Sequence, residues 1–228
     1  MNIENEEKIS ENLIKELQFI IDEIIKVNNN LCLDKLKGVK IVKDNLLNSS
    51  SSASYRDNFI LLPKNKIEKY INENNYNLIK STIYHELCHV DIEARLPNLH
   101  TLHKKYLQEE NYIKVYTIMI YIEYLTHLKS YELETDDNIK IFFKSINNRN
   151  WNFSDEIDCI YFIKCSPYVV ARLKHNYENL NLINNKEFKE HLWEIKDIFE
   201  RLELHKDIDD YKILTDLEKY VSIYITND

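Results

Sequence analysis

A single glycine, Gly38, and three prolines punctuate 228 residues, and this shortage constrains the fold more than any other feature. Tight turns draw on the positive φ open to glycine and on the fixed φ of proline. A chain poor in both favours long helices joined by Asn- and Ser-rich connections. The expected class is α+β, mainly α, with a small sheet and a helical C-terminal region.

Hydrophobic residues make up 44% of the chain and charged residues 30%, a balance that suits a folded globular protein rather than a disordered one. The length suffices for one substantial core with a helical extension. The Asn-rich stretch at 147–152 suggests a division into 1–150 and a helical 151–228. A net charge of -8 argues against a nucleic-acid partner, because phosphate binding needs clustered Lys and Arg. No membrane partner is expected either. The most apolar run, "VYTIMIYIEYLT", is shorter than the roughly 20 residues that span a bilayer and carries Glu123. The opening "MNIENEEKIS" is acidic where a signal peptide is basic. Cys32, Cys88, Cys159 and Cys165 form no C-x-x-C pair, so the cytoplasm is the expected compartment.

Residues 3–27 place Ile9, Leu13, Leu17, Ile20, Ile21, Ile24 and Ile25 at helical spacing and predict an amphipathic opening helix. "VKIV" after Gly38 and "NFILLP" are short, apolar and partly β-branched, as strands are. Between them "NSSSSASYRDN" reads as an exposed loop, a hairpin connection or a flap. Residues 75–95 form one helix that stops before Pro97, and 111–134 form a second with an unusually apolar middle. Further helix starts are expected at Ser154 and, with Pro167 at the first helical position, at Ser166. Helices over 186–204 and 207–225 complete the chain.

The first of the two central helices carries "IKSTIYHELCHVDIEA". His85 and His89 are four apart, so at about 100° per residue they share one helix face, and both imidazoles can reach one ion. Glu86 points about 100° away, off the ion and beside it. This is the logic of H-E-x-x-H, in which two neutral imidazoles bind Zn²⁺ and the carboxylate serves as general base toward water. Ile79, Ile83, Leu87 and Val90 lie opposite and hold the helix to a core. Cys88 reads as a small packing residue. Chance alone would place this motif in a chain of this composition roughly 3 times in 100.

A catalytic zinc site needs a third protein ligand. The extended metzincin pattern fails, because its Gly and His positions hold Ile92 and Arg95. Glu123 is the strongest candidate, as the only charged residue between Val115 and Thr126, where a buried carboxylate demands a partner or a metal. The bland alternative is a carboxylate satisfied by a nearby Lys or Tyr, or by His127 one turn on. His127 reads either as a core residue or as a group beside the ligand. Glu132 and Glu134 read as a solvated helix end. His100 and His103 read as a surface loop pair, and His175, His191 and His205 show no matching spacing.

Through "HELCH" at 85–89 and "EYLTHLKSY" from Glu123, the chain resembles the zincin metallopeptidases of the gluzincin branch, over roughly residues 38–135. It is loosely similar to the ImmA/IrrE-type peptidases, which usually have Gly where this chain has Cys88. The resemblance implies a small zincin-like sheet packed on the H-E-x-x-H helix. It also implies a Zn²⁺ cofactor held by His85, His89 and Glu123, with Glu86 as the base and a protein or peptide as substrate. His127 and Tyr131 are candidates for stabilising the oxyanion. Two other readings stand beside the zinc-dependent peptidase. One is a non-catalytic helical interaction module with a structural or degenerate zinc site, and the other is a metal-dependent hydrolase of a non-peptide substrate.

Overall fold

The computed structural model describes residues 1–47 and 53–225, and these form a mainly helical α+β fold with one four-stranded mixed sheet. Its chain groups into two compact units, Met1–Ala94 with Glu132–Thr135, and Arg95–Tyr131 with Asp136–Asp228.

The first unit opens with a strand, β1 (Ile3–Asn5), ahead of the helix α1 (Glu11–Val27). The helix expected from residue 3 therefore starts eight residues late. Asn5 is the reason: its side chain both donates to the carbonyl and accepts from the N–H of Ile9, each at 2.9 Å. That loop closes the turn, and Ser10 then caps α1 by accepting from the Leu13 N–H, as the first orphan donors of a helix require.

After α1 comes β2 (Gly38–Val42), parallel to β1, so β1-α1-β2 is a crossover unit of the kind that parallel strands need. Gly38 holds the junction. A Cβ there would lie 2.6 Å from the Asn2 carbonyl oxygen, the same oxygen that accepts from Val39 N–H at 2.9 Å.

The sheet continues to β4 (Phe59–Pro63), parallel to β2, and ends on β3 (Ser54–Arg56), antiparallel to β4. The segment expected to be loop is thus a strand from Ser54 on, while its residues 48–52 lie outside the described ones. Arg56 pairs with Phe59 across a two-residue turn, Asp57-Asn58, both at positive φ. That is the handedness which matches strand twist, and Asp and Asn tolerate it at low cost. Alternation then buries Val39, Ile41, Ile60 and Leu62 on one face. Against them pack Leu17, Ile20, Ile21 and Ile24 of α1 together with Ile79, Ile83 and Leu87 of α3 (Tyr76–Arg95). Helix α2 (Lys64–Asn72) adds Ile67 and Ile71 to the same core.

The second unit is helical: α4 (Pro97–Gln108), α5 (Tyr112–Ser130), α6 (Asp136–Asn148), α7 (Glu156–His175), α8 (Lys186–Leu202) and α9 (Thr215–Tyr224). Helix α4 stands where a loop was expected, so His100 and His103 are helical. Pro97 at its first turn was the available signal, and Asp209 caps it through the N–H groups of Asn98 and Leu99.

The helix start expected at Ser166 is overturned, because α7 runs unbroken through Pro167. Proline removes the donor that would reach the Ile163 carbonyl. The Ser166 hydroxyl donates to that carbonyl at 3.1 Å instead. An aromatic cluster of Trp151, Phe153, Phe162, Phe188, His191 and Tyr224 fills the region around α7, α8 and α9. Among the described residues, no helix is long and apolar enough to cross a membrane.

Candidate metal centre

Helix α3 is held by its apolar side. Ile79, Ile83, Leu87, Cys88 and Val90 are buried, while Ser81, His85, His89 and Glu93, spaced four apart, form its half-buried stripe. The Asn75 side chain accepts from the Leu78 N–H at the start, and Pro97 bars continuation.

On that stripe the His85 and His89 Nε2 atoms lie 3.1 Å apart, with the rings nearly perpendicular at 86°. Two nitrogens at about 2.05 Å from one tetrahedral zinc would stand about 3.3 Å apart. The pair therefore fits a shared cation with little adjustment. Glu86, between them in sequence, is only 7% exposed, so water reaches its carboxylate from few directions. Cys88 is a fully buried thiol that forms no disulfide, in keeping with a packing role.

Neighbouring groups stiffen the helix. Asp91, fully buried, accepts from the Cys32 N–H at 2.7 Å. Glu93 pairs with Lys35 at 3.8 Å and accepts from the Tyr55 phenol of β3, whose pKa is pushed up by burial and by that carboxylate. The Tyr84 phenol is raised as well, chiefly by burial and then by Cys88 and Glu132. Glu132 is exposed, as expected of a solvated helix end, whereas Glu134, expected to share that exposure, is half-buried.

In the second unit, Asn111 caps α5 by accepting from the Lys114 N–H. Glu123 and His127 share the less buried side of that helix, with His127 Nε2 3.6 Å from Glu123 Oε2. Glu123 is not the buried carboxylate that its apolar surroundings in sequence suggest, since its side chain is 33% exposed. Periodicity is the reason. Tyr116, Met119, Glu123 and His127 recur on a stripe of α5 that is incompletely covered, whereas Ile118, Ile120, Tyr121, Ile122 and Tyr124 are buried.

The His127 ring meets Tyr168 of α7 edge-to-face, centroids 4.9 Å apart at 76°. Tyr168 and Arg172 stand one turn apart on α7, and the burial of an arginine is not visible in a one-dimensional pattern.

Of the remaining histidines, His205 is exposed and two others are held in place by neighbours. His175 stacks on Tyr131 and binds the Leu128 carbonyl at 2.9 Å. His191 stacks on Phe153 and meets the Tyr224 hydroxyl at 2.6 Å. His100 and His103 lie on α4, and burial lowers the pKa of His103.

No protein-family model matches the chain, and neither a curated protein nor a solved structure matches it.

Proposed function

We propose that this chain is a zinc-dependent peptidase in which His85, His89 and Glu123 hold the metal, Glu86 is the general base and His127 supports the oxyanion. The observation that carries the reading is the 3.1 Å separation of the His85 and His89 Nε2 atoms on one face of α3, beside a carboxylate withdrawn from bulk water. Zn²⁺ bound there would polarise the scissile carbonyl and make water more acidic. Glu86 takes the proton of the attacking water and delivers it to the departing amine, a task for which its fixed position on a core-anchored helix suits it. His127 offers an N–H donor toward negative charge developing on the carbonyl oxygen. Proteins or peptides are the proposed substrates. The cytoplasm is the proposed compartment, and four cysteines outside any disulfide agree with a reducing one.

The test is metal content together with turnover. Purified wild-type protein should carry about one zinc per chain and cleave members of a quenched-fluorescence peptide library. Glu86→Gln should keep the zinc and lose cleavage. Full activity in that variant would remove Glu86 as the base, and ester hydrolysis without peptide cleavage would favour a non-peptide hydrolase.

A further inference from the structure

We propose that Tyr168 and Arg172 are positioning residues that fix the imidazole of His127; the inference rests on the peptidase reading given above. Three helices of the second unit converge on one ring. Tyr168 of α7 meets His127 of α5 edge-to-face at 4.9 Å, an arrangement that defines both the position and the plane of an aromatic partner. The other surroundings of Tyr168 hold it in turn. Phe142 of α6 packs on it with centroids 3.8 Å apart. The Arg172 guanidinium lies over its face, and Arg172 Nη1 donates to the Tyr168 carbonyl at 3.0 Å.

Arg172 is only 2% exposed. A guanidinium removed from water binds an aromatic face more strongly than an exposed one, yet burying it is costly compared with burying an apolar side chain. A guanidinium over the ring favours one orientation of the tyrosine plane, because the attraction is strongest with the cation centred over the face. The tyrosine then limits rotation of His127 about its χ2 angle, so that Nε2 stays on the side of Glu123, 3.6 Å from Oε2. An oxyanion donor needs that constancy, since a misplacement of about 1 Å costs on the order of a hundredfold in rate.

The test uses the full chain with labelled histidine, assigning the His127 resonances by their loss in His127→Gln. Tyr168→Leu should move the His127 ring signals and leave those of His85, His89 and His191 in place. With unchanged zinc content, the same variant should lower kcat on the best library peptide by about ten- to a hundredfold at nearly constant KM. Tyr168→Phe, which keeps the ring, should restore both readouts. If Tyr168→Leu does not fold, Phe142→Leu removes the packing from the other side of Tyr168 and should produce the same pattern more weakly. Unmoved His127 signals, or full kcat in Tyr168→Leu, would overturn the positioning role alone. A wild type that neither holds zinc nor cleaves any peptide would overturn the peptidase reading.

Discussion

The Nε2 atoms of His85 and His89 stand 3.1 Å apart, within a few tenths of an ångström of the roughly 3.3 Å separation of two imidazole ligands on a tetrahedral zinc. In neutral rings that separation is satisfied when one nitrogen donates and the other accepts. With both protonated it becomes a repulsion between two cations.

Removing either ring should therefore abolish tight binding. His85→Ala and His89→Ala are each expected to leave less than a tenth of the zinc after dialysis against a weak chelator, measured by elemental analysis. Full retention in either variant would show that the pair is not a metal site.

Glu123 discriminates between a metal ligand and a simple partner of His127, from which it stands 3.6 Å away. As a ligand, its replacement in Glu123→Gln should weaken zinc binding by at least about tenfold, since a carboxylate carries a full charge to the ion and an amide does not. Unaltered affinity by competition titration would assign Glu123 to His127 alone.

Gly38→Ala should destabilise the first unit by about 1–3 kcal/mol, the usual cost of an overpacked site. The new Cβ would meet the Asn2 carbonyl oxygen at 2.6 Å and push β1 away from β2. Urea denaturation monitored by circular dichroism reads the effect, and a midpoint equal to wild type would show that the β1–β2 pairing yields freely.

Ser166→Ala should cost about 1 kcal/mol, because it leaves the Ile163 carbonyl of α7 without the hydroxyl that replaces the donor missing at Pro167. In the background of Pro167→Ala the same serine change should be nearly neutral, since the ordinary helical N–H is then present. A double-mutant cycle on thermal stability checks this, with additive effects as the contrary outcome.

His191 supplies a pH dependence. Burial lowers its pKa below the ordinary 6.5 despite the raising influence of Glu190, Glu187 and Glu194. The folded state therefore binds fewer protons than the unfolded chain below that value, and the stability present above pH 6.5 is lost as pH falls through the folded pKa. Wild type should lose more stability between pH 7 and pH 5 than His191→Gln, measured as urea midpoints. Parallel losses would place the titration elsewhere.

Much of this protein was legible in one dimension. Long helices followed from the scarcity of glycine and proline, and strands β2 and β4 from short β-branched runs. The α3 face carrying His85 and His89 followed from spacing alone, because a four-residue step on a helix fixes direction whatever surrounds it. The same local logic failed wherever a through-space partner decided the outcome. Asn5 bonded to the Ile9 backbone ends the first turn and frees β1. Ser166 rescues a carbonyl so that α7 passes through Pro167. The apolar middle of α5 suggests burial, yet Glu123 is one-third exposed, because coverage depends on which neighbours pack there and not on the helix's own apolarity. The ring contact between Tyr168 and His127 joins residues over forty positions apart, and no periodicity reports it. The sequence by itself determined how the side chains that would hold a metal are phased along their helices. Only tertiary packing decided which of them are covered and which are held in a fixed plane, because burial and ring contacts arise between elements that the chain brings together only once folded.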